Sequence, residues 1–259
     1  MKRFLNLFFK PVLVLSLVLI LSGSSFAEDL KIYTDESFKY ALPDLIKTYN
    51  KSYPKDKISY FIAPSPVLYE KIQKSSNECD LIFTSDLLLM NILSDNKKFE
   101  VASRFNFGSC DLVMITSKTN KFLKSFNDVK TNQVKKIALV SDSAMERFAM
   151  YSFKQSKLLE RLERENKFIK VKTLTEAISK VKSGSVDCAF VFKPHVTKDV
   201  KVIKTTSSKE SGQSSLCTGG IIKGSKHYSP ASNFSYFLNT DPAKNVLLKH
   251  GFKTGTTQY

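Results

Sequence analysis

The chain has 259 residues, with 40 Lys and Arg against 24 Asp and Glu, a formal net charge of +16 and an isoelectric point near 9.6. Its hydrophobic content of 42% and aromatic content of 12% exclude global disorder, and its length allows one large domain or two of ordinary size. The charge leaves four options open: nucleic acid, an anionic membrane, an acidic small ligand, or no partner at all.

Lys2, Arg3 and Lys10 precede an apolar run from Val12 to Leu21 broken only by Ser16, and Ser25-Phe26-Ala27 then supplies small residues before a cut. This is the pattern of a secretory signal peptide over residues 1–27, with an apolar run too short to favour a stable span. Its removal leaves 37 basic and 24 acidic residues from Glu28 to Tyr259. The mature chain is then expected in the periplasm, where nucleic acid is not a partner. No later stretch approaches the ~20 apolar residues of a bilayer span.

Leu30–Thr34 reads as a strand, followed by Phe38, Leu42, Leu45, Ile46 and Tyr49 at helical spacing, with Pro43 kinking the helix or delaying its start. Next come strand Ile58–Ile62, helix Val67–Ser75, strand Asp80–Thr84 and a helix around Leu87–Leu93, an alternation that predicts a parallel sheet flanked by helices. A second unit begins near Cys110, with strands Asp111–Thr116 and Lys136–Ser141. Ser143–Lys167 contains no Gly or Pro and predicts one long amphipathic helix. Strand Phe168–Val171, helix Leu174–Val181 closed by Gly184, and strands Ala189–Phe192 and Val200–Ile203 follow. Ser207–Ser215 reads as a loop, Thr218–Ile222 as a strand weakened by Gly219 and Gly220, and Pro230–Leu238 and Pro242–His250 as two helices.

Cys79, Cys110, Cys188 and Cys217 allow three full pairings that sequence cannot rank, or four buried thiols; their spacings fit no zinc pattern. His195, His227 and His250 are too scattered for a metal site. No Gly-x-Ser-x-Gly elbow or phosphate loop is present, so neither an enzyme nor a cofactor is expected. Two βα units joined by two crossings predict an inserted second lobe, with residues 28–108 and 216–259 forming lobe 1 and 109–215 forming lobe 2. Helix N-termini at the carboxyl ends of the strands would then face each other across one cleft.

Several runs share their order and spacing with a known family: Leu30-Lys31-Ile32-Tyr33 into Ser37, Ser65 before Leu68, and Cys79-Asp80-Leu81-Ile82-Phe83-Thr84-Ser85-Asp86. Others are Gly108 before the crossing strand, Glu176-Ala177-Ile178 through Ala189-Phe190-Val191-Phe192, and Phe237-Leu238 to Gly251-Phe252. Over nearly all of residues 29–253 the chain resembles the molybdate-binding proteins of ABC importers, a family of periplasmic solute-binding proteins. The resemblance implies a two-lobed α/β fold of type II, each lobe a mostly parallel sheet with flanking helices. It also implies a monomer that binds a small molecule or an oxyanion such as molybdate or tungstate between its lobes and serves an ABC permease in the inner membrane. The ligand donors would be the hydroxyls of Ser37 and Ser65 and backbone amides near Met145 or Glu146 and near Leu174, with Phe192 where the family has a Tyr.

The chain departs from that family at three places. Asp35-Glu36 stands where small neutral residues precede the first Ser, and two unit charges 4 Å apart repel by about 4 kcal/mol at an effective dielectric of 20. Ser143-Ala144-Met145-Glu146-Arg147 replaces a helix start with Pro and Gly, and forms a capping box that would consume end donors. Phe192 has no hydroxyl. A different solute or a metal ion is the alternative ligand, and Arg147 would pair with an anionic group, with Glu146, or with solvent. Residues 108–215 carry 21 basic against 11 acidic residues. That excess is a solvated surface, a steering field for anions, or the contact face of an envelope protein without a transport role.

Overall fold

The computed structural model describes residues 29–206 and 216–255, so the expected signal peptide and the Ser-rich stretch 207–215 lie outside the described residues. In chain order the elements are β1 (Asp29–Thr34), α1 (Ala41–Tyr49), β2 (Lys57–Ile62), α2 (Ser65–Lys74), β3 (Leu81–Thr84), α3 (Leu87–Asp95), β4 (Phe105–Ser109) and β5 (Leu112–Ser117). They continue as β6 (Ile137–Val140), α4 (Ala144–Gln155), α5 (Leu159–Arg164), β7 (Phe168–Val171), α6 (Leu174–Lys182), β8 (Cys188–Phe192), β9 (Val200–Thr206), β10 (Leu216–Ile221), α7 (Tyr228–Phe237) and α8 (Asp241–Lys249).

The strands form two five-stranded sheets, ordered β2-β1-β3-β10-β4 and β7-β6-β8-β5-β9. The strands β1–β3 in the first and β6–β8 in the second run parallel, as crossover helices require. β10 pairs antiparallel with both β3 and β4, and β5 with both β8 and β9. Each sheet is therefore mixed rather than mostly parallel, because the strands on the two interlobe crossings enter against the direction of the βα units. The fold is a two-lobed α/β architecture with flanking helices.

Local chemistry explains most boundaries. β3, β5 and β6 are buried along their whole length, matching apolar runs that only Thr84, Thr116 and Ser117 interrupt at the strand ends. In α1, Leu42, Leu45 and Tyr49 recur on one buried face. Its start is delayed past Phe38 by a short 3-10 turn over Glu36–Phe38. Pro43 thus falls in the first helical turn, where no intrahelical acceptor awaits its missing N–H. Gly219 and Gly220 make room for aromatic rings: a Cβ at Gly219 would stand 2.5 Å from Phe105 Cζ, and one at Gly220 2.8 Å from Phe99 Cδ1. β4 went unpredicted, although Phe105 and Phe107 alternate as a strand should.

The single helix predicted over Ser143–Lys167 is two. α4 ends where Lys157 adopts φ +57°, its N–H donating to Lys154 O at 3.0 Å and the Leu158 N–H to Phe153 O at 2.8 Å. This is a Schellman ending, which a Gly normally marks; here a Lys takes the left-handed position and leaves no sequence signal. The turn buries Leu158 and Leu162 against the sheet. All four cysteines are buried free thiols, and burial pushes each thiol well above its usual pKa.

Candidate functional site

A small cavity lies between the lobes, where the turn after β1 and the start of α2 face the start of α4 and the end of β8. Ser65, Met145 and Phe192 line it, together with Asp35, Glu36 and Asp86. With the lobes in contact it measures about 10 Å3, room for roughly one water molecule.

Asp35 is 4% exposed and caps the 3-10 turn. Its Oδ1 accepts from the Ser37 N–H at 2.9 Å and from the Ser37 hydroxyl; its Oδ2 accepts from the Ser85 N–H at 2.9 Å and from the Thr84 hydroxyl. Burial raises its pKa, and these four donors pull the other way. Ser37 is fully buried; its hydroxyl serves Asp35 and lies 3.0 Å from Ser85 Oγ. The donors that resemblance assigned to an anion around Ser37 are thus engaged by the chain's own carboxylate.

Glu36 repeats this across the cleft. Its Oε2 accepts from the Leu174 N–H, the first amide of α6 in the other lobe, at 2.9 Å. Burial raises its pKa, the Leu174 amide opposes that, and the neighbouring Asp35 adds to it. The Glu36 carbonyl accepts from His195 Nε2 at 2.6 Å, which sets the His195 tautomer with its proton on Nε2. His195 is 1% exposed, and burial lowers its pKa to about 4. Lys39 Nζ donates to Thr175 Oγ1 at 3.1 Å beside them. The turn 35–39 is therefore where lobe 2 docks on lobe 1.

Arg147 makes the second tie between the lobes. It pairs with Asp86 at 2.6 Å rather than with Glu146, because Glu146 is taken by Lys170 and by the Asp142 N–H at 2.7 Å. Asp86 also caps α3 by accepting from the Leu88 N–H at 3.1 Å. At the start of α4, the Glu146 N–H donates to Ser143 Oγ at 3.1 Å, while the Glu146 carboxylate reaches Asp142 N–H instead of the cap residue's own amide. The capping box closes one residue early. It consumes Glu146 N–H and leaves the amides of Ala144 and Met145 without a partner among the described residues.

Of the residues expected at the site, Ser65, Met145 and Phe192 border the cavity; Ser37 lies behind Asp35, Glu146 is occupied by its own helix cap, and Leu174 is bridged to Glu36. The Ser65 hydroxyl makes no hydrogen bond among the described residues, and Phe192 is 3% exposed, serving core and cavity wall together. Sequence reasoning missed His195 and the Asp86–Arg147 pair, whose partners stand 159 and 61 positions apart. No local pattern marks such contacts. Among the described residues no group of three His, Cys, Asp or Glu is placed to hold a metal ion, and no helix is long and apolar enough to cross a membrane.

This cleft between two α/β lobes, lined by helix N-termini, is that of a solute-binding protein. The profile of the bacterial extracellular solute-binding protein family matches residues 30–253, and the chain belongs to that family. Its relatives include YvgL of Bacillus subtilis (strain 168), named as a candidate ABC transporter substrate-binding lipoprotein. YvgL is 24% identical over 225 residues, covering 86% of this chain and 85% of the relative. The chain is accordingly a bacterial extracellular solute-binding protein. Among solved structures, the substrate-binding domain of a candidate molybdenum ABC transporter from Clostridium difficile matches with a TM-score of 0.70 and 24% identity, covering 88% of this chain and 99% of that one. The periplasmic molybdate-binding protein of Azotobacter vinelandii matches with a TM-score of 0.77 and 17% identity, over 88% and 100%. PEB3 with L-phospholactate bound matches with a TM-score of 0.64 and 17% identity, again over 88% and 100%. These likenesses establish the shared fold.

Proposed function

We propose that this chain is exported by its first 27 residues to the periplasm. There it works as a monomer, takes a small oxyanionic solute between lobes 28–108/216–259 and 109–215, and delivers it to an inner-membrane permease. The observation that carries the ligand class is the Glu36 carboxylate on the Leu174 amide. An anion from one lobe sits on a helix N-terminus of the other, so that position suits a negative oxygen. When the lobes part, the solute's oxyanion replaces Glu36 there and gains the free Ala144 and Met145 amides and the Ser65 hydroxyl.

Glu36 then remains beside the bound oxyanion and can only accept hydrogen bonds while ionised, whereas the acceptor sites of Asp35 are already filled. Glu36 favours a solute that brings its own O–H, such as a hydrogen phosphate or phosphonate group, over sulfate, molybdate or tungstate, which carry no proton at neutral pH. A thermal-shift panel of phosphate, methylphosphonate, sulfate, molybdate and tungstate tests this. Ligand at about 100 times its dissociation constant adds about 2.7 kcal/mol to stability, a visible rise in melting temperature. A rise with the proton-bearing anions and none with the other three is expected. A rise with tungstate and molybdate alone would replace this reading with molybdate-type transport, which the free α4 amides and Ser65 favour.

A further inference from the structure

Beside the cleft cavity lies a second one of about 200 Å3, which shares Ser65 and Asp86 with it. Its wall is apolar: Pro66 and Tyr69 on one face of α2, and Leu88, Leu89 and Ile92 on one face of α3. Leu88 is 45% exposed although it sits among other apolar side chains, so the α3 wall is only partly covered in the closed protein. Asp142 and Arg147 close the cavity from lobe 2. Arg147 spends one terminal nitrogen on Asp86 and the other on the Asp142 carbonyl at 3.3 Å. Its Nε is buried without a hydrogen-bond partner. A buried donor without an acceptor is unfavourable.

We propose that this second cavity holds the organic part of the solute, so that the protein binds an organic oxyanion rather than a bare inorganic one. This rests on the reading above that the cleft receives the oxyanionic head. The head lies at Ser65 and the α4 amides, and the body packs against Tyr69, Leu88 and Ile92. The available volume suits a group about the size of a six-membered ring, since apolar cavities near 150 Å3 hold benzene. Continuity with the cleft through Ser65 and Asp86 distinguishes this cavity from a chance surface hollow. A body of that size would lie between the apolar wall of lobe 1 and Asp142 and Arg147 of lobe 2.

Titration of the full mature chain with inorganic phosphate, methylphosphonate and phenylphosphonate tests the proposal, with Leu88→Asp as the companion variant. Leu88 is half-exposed in the first turn of α3, where an acidic residue suits the helix, so the variant should fold; circular dichroism checks this. Phenylphosphonate should bind at least tenfold tighter than methylphosphonate, and Leu88→Asp, whose added charge weakens both anions alike, should abolish that advantage. Equal affinities for the three probes, or an advantage that survives in Leu88→Asp, overturn the second cavity and leave the cleft reading intact. No binding of any of the three up to millimolar concentration overturns both.

Discussion

Replacing Glu36 with Ala removes the carboxylate that bridges to Leu174 at 2.9 Å, one of the three carboxylates that line the cavity. A hydrogen bond to a charged group contributes about 1.5–3 kcal/mol. Because Glu36 is only half-buried, solvent reduces this to about 1–2 kcal/mol. An incoming anion must displace that bond and then sit beside the displaced charge, so Glu36→Ala should favour any fully deprotonated anion by at least that amount. At 1.4 kcal/mol per factor of ten, sulfate should bind about tenfold tighter to the variant than to the wild type. Phosphate, which donates a proton to the carboxylate, loses a partner as it gains the amide and should change little. The preference for phosphate over sulfate should therefore shrink about tenfold, as read by isothermal titration at pH 7. Unchanged sulfate affinity with an unchanged preference would refute the assignment of Glu36 as an occupant of the anion position.

Asp35→Asn should cost about 1–3 kcal/mol in urea unfolding. Either orientation of the amide turns its NH2 toward the N–H of Ser37 or of Ser85, and neither can reverse its donor role. Asp35 has its pKa raised in the folded state, so its contribution to stability is full below the unfolded value near 3.9 and declines as pH rises through the folded value; the variant should lack that decline. His195 runs the opposite way: its folded pKa of about 4 lies below the usual 6.5, so stability is complete above 6.5 and falls on acidification toward 4. That difference amounts to up to about 3 kcal/mol. His195→Gln should flatten this limb in melts taken from pH 7 to pH 4, and an unaltered slope would remove His195 as its source. Lys157→Gly, at φ +57°, should raise stability by about 0.5–1 kcal/mol, measured as a higher urea midpoint with an unchanged slope.

Much of this protein is legible along the chain because the responsible forces are local. Short β-rich apolar runs such as Leu30–Thr34 and Leu81–Thr84 become buried strands, and the Leu42, Leu45 and Tyr49 spacing becomes a helix face, because local side-chain pattern selects the element. Ser143 announces a helix start because its hydroxyl can accept from an end amide three residues on. Family-like order along residues 29–253 carried the two-lobed fold. The break at Lys157 was invisible, since a left-handed Lys has no composition signature, and the antiparallel course of β5 and β10 follows from which lobe each strand comes from. Above all, the sequence could place Asp35 and Glu36 beside Ser37 but not state what they do. Only tertiary structure brings Ser85 to Asp35 and Leu174 to Glu36, from 50 and 138 positions away, and so shows both carboxylates held by backbone amides of distant elements.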